Sequence, residues 1–148
     1  MKVGISNDHA ATELKFLVVE HLQKQGYEVV NYGTDSNESY DYPIAASLLC
    51  KGIKSKEVDL GIAICGTGVG ISIACNKHKG IRACCCSEKE SARLTREHND
   101  ANVICFGARI IKPETAYEIV DTFLTTEFSN GERHIKRINQ ITEIENNQ

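Results

Sequence analysis

The sequence predicts an α/β fold: a three-layer, doubly wound sandwich around a five-stranded parallel sheet, Rossmann-like, in one domain over residues 1–148. Two observations carry this prediction. Five short apolar runs alternate along the chain with segments whose apolar residues recur every three or four positions. Glycine, proline and polar clusters separate the two kinds of segment. Because crossover helices cover both faces of a parallel sheet, this alternation favours the doubly wound arrangement.

The composition is that of a globular protein with a sizeable core. Of the 148 residues, 41% are apolar and 25% charged, and the formal net charge is −3. Lysine and arginine are spread along the chain, so we expect neither nucleic acid nor an anionic membrane as a partner. No apolar run reaches the length of a membrane span, and the first residues lack the features of a secretory signal. We therefore expect a cytoplasmic protein.

The seven cysteines argue against a disulfide framework. Their number is odd, and Cys84, Cys85 and Cys86 are consecutive in an apolar strand, where side chains alternate between faces. No Cys-x-x-Cys pair suggests zinc, and we expect no metal site. Every cysteine except Cys65 is interpreted as a small buried apolar residue in a reducing compartment.

Each predicted strand is a short apolar run rich in residues that favour extended structure. The first leads into Asn7 and Asp8, and the second ends at Gly33. The third carries Cys65 at its end. The five predicted strands cover residues 3–6, 27–32, 60–64, 81–85 and 102–106.

Capping residues mark where the helices begin. Asn7 and Asp8 offer an N-cap to the first helix, and Pro43 suits the first turn of the second. Ser87, with Glu90 three residues later, predicts a capping box for the fourth helix. The six predicted helices run from the cap at residues 7–8 to Gly26, and over residues 43–53, about 69–77, 88–97, 113–125 and about 130–146.

The stretch at residues 65–70, Cys-Gly-Thr-Gly-Val-Gly, joins the third strand to a helix. Such a turn places a thiol beside free backbone N–H groups, which suits chemistry on an anion. From position alone, a catalytic and a structural Cys65 are equally good interpretations. The three glycines favour the catalytic one because they let the backbone approach an oxyanion, to which Thr67 adds an O–H donor. Cys65 is thus a candidate base or nucleophile.

The pattern of these glycines matches neither of two common phosphate-binding motifs. The dinucleotide fingerprint requires Gly-x-Gly-x-x-Gly after the first strand, where this chain has Gly-Ile-Ser-Asn-Asp-His at residues 4–9. The lysine of a P-loop is also missing after Gly70.

Other candidates follow strands or end helices. If the strand order reverses between the first and third strands, Asp8 and His9 face the glycine turn. His98 is a candidate general acid or base, and Asn99 a candidate ligand of a substrate oxygen. The alternatives are an N-cap with a surface histidine at residues 8–9, and a plain helix terminus at residues 98–99.

Arg133 and Arg137 are four residues apart on the last helix, the spacing with which two guanidinium groups grip one phosphate. Arg109, after the fifth strand, is a possible third phosphate ligand. Exposed arginines more often form solvated faces, so this alternative stays open. Three further histidines are interpreted as structural: His21, His78 and His134.

Six motifs in order cover nearly the whole chain, and together the sequence resembles ribose-5-phosphate isomerase type B. The same family of sugar-phosphate isomerases includes the galactose-6-phosphate and allose-6-phosphate isomerases. The motifs are residues 7–10, 42–43, 65–70, 93–102 and 107–109, and the pair Arg133 and Arg137.

The resemblance implies reversible aldose–ketose isomerisation of D-ribose 5-phosphate and D-ribulose 5-phosphate through a cis-enediolate, without metal or organic cofactor. It implies Cys65 as the base, Thr67 with the turn as the anion hole, and His98 as the group that opens the sugar ring. The implied substrate contacts are Asp8, His9, Tyr42, Gly66, Gly68, Val69, Gly70 and Asn99. The implied phosphate ligands are His9, Arg109, Arg133 and Arg137.

The resemblance also implies a homodimer, possibly paired into a tetramer, with active sites shared across the interface. His98, Asn99 and Arg109 are then expected from the neighbouring copy, and the last helix contributes phosphate ligands and dimer contacts. The nearest alternative is a six-carbon substrate, allose 6-phosphate or galactose 6-phosphate. A phosphatase or thiol transferase is less favoured because no arginine closes the loop after Cys65. A non-catalytic sugar-phosphate sensor would bind without turnover.

Overall fold

Five parallel strands form the central sheet of the computed structural model, which describes residues 1–148. The strands are β1 (Lys2–Asn7), β2 (Glu28–Asn31), β3 (Leu60–Cys65), β4 (Ala83–Cys85) and β5 (Val103–Gly107). Their order across the sheet is β2-β1-β3-β5-β4, and every neighbouring pair is parallel. The predicted α/β sandwich is confirmed. The strand order reverses between β1 and β3, so that the carboxyl ends of these strands form the expected crevice.

Six helices connect the strands and cover the sheet. They are α1 (Thr12–Lys24), α2 (Tyr42–Lys54), α3 (Val69–Cys75), α4 (Lys89–Asn99), α5 (Pro113–Thr125) and α6 (Glu132–Asn146), and a single 3₁₀ turn, His9–Ala11, precedes α1. Pro43 lies in the first turn of α2, as predicted. Gly26, with φ +90, follows the end of α1.

Alternating side chains of β3 build two separate cores. Ile62 and Ile64 pack into the larger core with residues of α1 and α5, whereas Ala63 and Cys65 face the smaller core under α2 and α3. This alternation follows from the two-residue period of a strand. Cys65 therefore reaches the carboxyl edge of the sheet on the side covered by α2 and α3.

The predicted capping box at α4 is wrong. Glu88, not Ser87, is the N-cap: its backbone is extended, and its carboxylate accepts the Ser91 N–H at 3.0 Å. Glu90 instead forms an ion pair with Arg93. A longer acidic side chain reaches the same free N–H groups and is favoured at the positive end of the helix.

The elements α3 and β4, on either side of one connection, are shorter than predicted. The Asn76 side chain exchanges two hydrogen bonds with the backbone of Ala83, at 2.8 and 2.9 Å. This side-chain pairing competes with regular structure on both sides of the connection. Consequently α3 ends at Cys75 and the strand begins only at Ala83.

Helix α6 is the least embedded element, and its main packing partner in the chain is α4. Its isoleucines remain in contact with solvent: Ile141 is 47% exposed and Ile144 62%. A second exposed apolar surface lies on α2 and α3, where Ile44 and Ile73 are more than half exposed. None of the helices combines the length and apolar character that spanning a membrane requires.

Candidate active site

Cys65 ends the third strand, between the ends of β1 and β5. The Asp8 N–H donates to the Ile64 carbonyl at 3.2 Å, which places Asp8 beside Cys65 on one side. On the other side, the Ala108 N–H donates to the Cys65 carbonyl at 2.9 Å. The cysteine is thus fixed from both neighbouring strands and is 4% exposed.

The turn after Cys65 directs polar hydrogens towards the site. The Gly68 N–H donates to the Cys65 sulfur at 3.1 Å. The Val69 N–H donates to Thr67 Oγ1 at 3.2 Å. Because that oxygen already accepts, the Thr67 O–H is available to donate to a substrate oxyanion.

Glycine is required at two positions because the turn touches the end of β5. Gly68 has φ +81, and a Cβ there would lie 2.6 Å from the Phe106 backbone. A Cβ on Gly107 would lie 2.5 Å from the Thr67 backbone. These approaches are too close for any side chain, so the two glycines set the position of the turn on the sheet edge.

Tyr42 and Arg109 flank the turn. A Cβ on Gly70 would lie 2.8 Å from Cζ of the Tyr42 ring, and one on Gly66 would lie 3.1 Å from Nη1 of Arg109. Both side chains are exposed. We call Asp8, His9, Tyr42, residues 65–70 and Arg109 the strand-end cluster. Arg109 thus lies against its own turn, although the resemblance implies that it reaches the neighbouring copy.

His98 and Asn99 lie at the opposite edge of the sheet. Helix α4 starts where β4 ends, at the carboxyl edge, and returns to the amino edge, where β5 begins at Val103. The last turn of α4 carries both residues. Since the five residues of β5 span about 16 Å, His98 cannot reach Cys65 of its own chain.

His98 stacks on His134 of α6, with ring centroids 4.3 Å apart and planes inclined by 13°. Burial, followed by the neighbouring His98, Arg133 and Arg137, lowers the pKa of His134. The neutral form of His134 is therefore favoured. Glu97, His98, Arg133 and His134 line one cavity. We call His98, Arg133, His134 and Arg137 the α4–α6 cluster.

Asn99 points away from this cluster. It lines a different cavity, of about 660 Å³, together with Arg82 and the exposed Ile141 and Ile144. The structure therefore brings the predicted site residues into two groups in one chain, with Asn99 beside the second.

Two features were missed by sequence reasoning. His134 was interpreted as structural, and no spacing connects it with His98, because the pair forms only when α6 packs on α4. Cys85 is exposed, not buried, and its sulfur lies 3.8 Å from the Thr67 carbonyl. Burial raises the pKa of Cys84 and Cys105, so these thiols stay protonated.

The chain matches known proteins over nearly its whole length. A sequence profile of the family described as Ribose/Galactose Isomerase matches residues 3–141. The chain belongs to this family. It is 49% identical over 144 residues to ribose-5-phosphate isomerase B of Escherichia coli, covering 97% of this chain and 96% of that one. The family predicted from the sequence motifs is confirmed.

Two further ribose/galactose isomerase family members give the range of similarity. The structure of ribose-5-phosphate isomerase B from Clostridium thermocellum superposes with a TM-score of 0.96 at 49% identity, covering 99% of this chain and 98% of that one. D-erythrulose-4-phosphate isomerase of Pectobacterium atrosepticum is 41% identical over 132 residues, which is 88% of this chain and 87% of that one.

Proposed function

We propose that the protein is an aldose–ketose isomerase that interconverts D-ribose 5-phosphate and D-ribulose 5-phosphate. The observation that carries this proposal is the contact of the Cys65 sulfur with the Gly68 N–H, beside the free Thr67 hydroxyl. A base and an oxyanion site are the two groups that a proton shift next to a carbonyl requires. The identity to the Escherichia coli enzyme supports the five-carbon substrate.

The reaction uses Cys65 as the base. The Cys65 thiolate removes the proton from C2 of the open-chain aldose, and the electrons of that bond form the C1–C2 double bond of an enediolate. The oxyanion is stabilised by the Thr67 hydroxyl and the turn. The hydroxyl proton of O2 passes to the O1 oxyanion, and the thiol then returns a proton to C1 while the O2 carbonyl forms, which completes the ketose.

The remaining residues bind the substrate and open its ring. His98 transfers the proton that opens the furanose, and Asp8 and Asn99 hold sugar oxygens. Arg133 and Arg137, four residues apart on α6, grip the phosphate together with His9 and Arg109. This grip supplies positioning, which is distinct from the chemistry at C1 and C2.

We further propose a homodimer in which the α4–α6 cluster of one copy completes the strand-end cluster of the other. His98 and Cys65 lie at opposite edges of one sheet, so a site that uses both needs two copies. The exposed isoleucines of α6 and the exposed apolar surface of α2 and α3 supply surfaces for such an interface. All seven cysteines are free, which supports a reducing compartment, the cytoplasm.

Deuterium exchange at C2 of ribose 5-phosphate, followed by NMR in D₂O, tests the isomerase. We expect the wild type to exchange this proton and to form ribulose 5-phosphate. Cys65→Ala should bind substrate but lose at least about 10³-fold in kcat. Binding without exchange by the wild type would identify a sensor, and full activity of Cys65→Ala would exclude Cys65 as the base.

Mixing inactive variants tests the shared site. Hybrid dimers of Cys65→Ala and His98→Ala contain one site with both side chains intact, so activity should return after subunit exchange. A mixture of Cys65→Ala and Thr67→Ala is the matched control, because both changes lie in the same turn and every hybrid site is defective. No recovery with the first pair, despite demonstrated exchange, would contradict a shared site.

A four-carbon sugar phosphate is the second candidate substrate. It is favoured by the 41% identity to the Pectobacterium atrosepticum protein named for D-erythrulose 4-phosphate. Comparing kcat/KM for the phosphates of ribulose, erythrulose and allose decides among four-, five- and six-carbon substrates. We expect the five-carbon substrate to be preferred.

A further inference from the structure

Lys15 is a fully buried lysine that the proposed chemistry does not use. It lies on α1, its side chain is 0% exposed, and it therefore cannot touch a substrate. Its ammonium group donates to Asp35 Oδ1 at 2.6 Å, the Thr34 carbonyl at 2.8 Å and Asn31 Oδ1 at 3.3 Å. Burying an ammonium group is costly unless it is paired and its protons are satisfied, and these acceptors use all three protons.

The acceptors belong to the end of β2 and the start of the loop before α2. The Thr34 carbonyl also accepts the Asn7 side-chain amide at 3.1 Å, so it is held from both α1 and β1. Two residues later, the Ser36 carbonyl accepts the Thr12 hydroxyl at 2.8 Å. The Ser36 hydroxyl in turn accepts the Glu38 N–H at 3.0 Å. The loop is thus fixed at every second residue.

The loop reaches the strand-end cluster at Tyr40. The Tyr40 N–H lies 3.0 Å from Nδ1 of His9 and donates to it. Nδ1 of His9 also lies 3.2 Å from the Tyr40 carbonyl, so both backbone groups of Tyr40 contact the same ring nitrogen. These two contacts hold the ring from one side and leave Nε2 for a phosphate oxygen.

We propose that Lys15 is a positioning residue that, through the loop at residues 34–40, fixes the orientation of His9 for phosphate binding. The functional part of this inference rests on the proposed isomerase, whereas the contact between Tyr40 and His9 is a property of the free protein. The Tyr40 side chain packs against the smaller core, and the hydrogen bonds of Lys15 hold the other end of the loop. The loop that carries the contacts to His9 is thus held at both ends, at one of them by the buried ammonium.

Lys15→Met tests the inference, because methionine fills a similar volume without hydrogen bonds. We expect the KM for ribose 5-phosphate to rise roughly tenfold, with a smaller change in kcat. In a His9→Ala background, the same change should alter kcat/KM by less than about twofold, since the residue acts through His9. Lys24→Met is the matched control on the same helix, where the lysine forms only a surface pair with Glu20, and should leave kinetics unchanged.

A second variant covers the case in which Lys15→Met does not fold. Thr12→Val removes the bond to the Ser36 carbonyl, and the bond that Thr12 Oγ1 accepts from the Asn7 amide at 3.3 Å, and leaves the buried charge paired. It should raise KM in the same way and show the same non-additivity with His9→Ala. An equal fold-loss of kcat/KM in the wild-type and the His9→Ala backgrounds would overturn the inference. An unchanged KM in a folded variant would overturn it as well.

Hydrogen exchange of the Tyr40 amide, which is bonded to Nδ1 of His9, gives a readout that does not depend on activity. In Lys15→Met, or in Thr12→Val, this amide should exchange at least about tenfold faster than in the wild type, because the loop no longer holds it against His9. An unchanged exchange rate in both variants would overturn the inference. A wild type that binds but does not isomerise ribose 5-phosphate would instead refute only the proposed function.

Discussion

The strand-end cluster and the α4–α6 cluster differ in how firmly one chain holds them. The Cys65 turn is bonded to the ends of β1 and β5 and pressed so closely on the end of β5 that two glycines are obligatory. The α4–α6 cluster stands on a helix whose main contact is one neighbouring helix and whose isoleucines are exposed. The proposed base and oxyanion site are therefore preorganised in a single chain, and the groups proposed for phosphate binding and ring opening depend on what covers α6.

The largest effect is expected from forcing apart the turn and the end of β5. Gly68→Ala combines a positive φ with a backbone clash and should cost at least about 3 kcal/mol in unfolding free energy and about 100-fold in kcat. Gly26→Ala is the matched control, since Gly26 has a similar φ and open space around it. It should cost only about 1–2 kcal/mol and leave kcat unchanged. Urea unfolding and steady-state kinetics measure both, and equal effects on kcat would refute a preorganised turn.

A smaller effect is expected from disturbing α6. Ile141→Glu places a charge on its exposed apolar surface and should weaken dimerisation, lowering specific activity at low protein concentration about tenfold. The fold of the single chain should persist because this side chain is already 47% exposed. Gln140→Glu adds the same charge one residue away and should leave assembly unchanged. Sedimentation velocity and activity assays over a series of protein concentrations measure this effect. A dimer dissociation constant equal to that of the wild type would show that α6 is not part of the interface.

The smallest effect concerns the pH dependence of the histidine stack. Because the pKa of His134 is lowered on folding, the unfolded chain binds this proton more readily, and stability falls as the pH drops below about 6.5. His134→Phe keeps a ring on His98 without titrating, so its unfolding midpoint in urea should fall less between pH 7.5 and 5.5. His78→Gln, remote from the stack, should retain the wild-type fall. An identical decline in His134→Phe would show that the stack does not contribute.

The elements of the fold were predictable because their signals are local. The apolar run before Cys65, the proline at the start of α2 and the glycine after α1 each fix an element from a few neighbouring residues. The start of α4 was predicted wrongly because Ser87 and Glu88 both offer capping oxygens, and the choice depends on backbone conformation. Membership of the family followed from six motifs in order, each of them weak alone.

The connections between distant residues were not predictable. Lys15 belongs to the polar positions of an amphipathic pattern, and its complete burial depends on acceptors from Asn31 to Asp35 that fold over it. No sequence pattern indicates a functional role for His134, apart from its position next to Arg133. The division of the site between opposite sheet edges required the path of α4 in three dimensions. Pairwise contacts of this kind carry no periodicity that a single sequence could reveal.

The two edge strands of the sheet, β2 and β4, are also its shortest, with four and three residues against five or six for the others. A short edge exposes few unpaired backbone groups, so another chain gains little by adding a strand. The sheet is thus protected from edge-to-edge aggregation and is a poor template for fibres. Self-association is left to the helical surfaces, where side chains determine which partner fits.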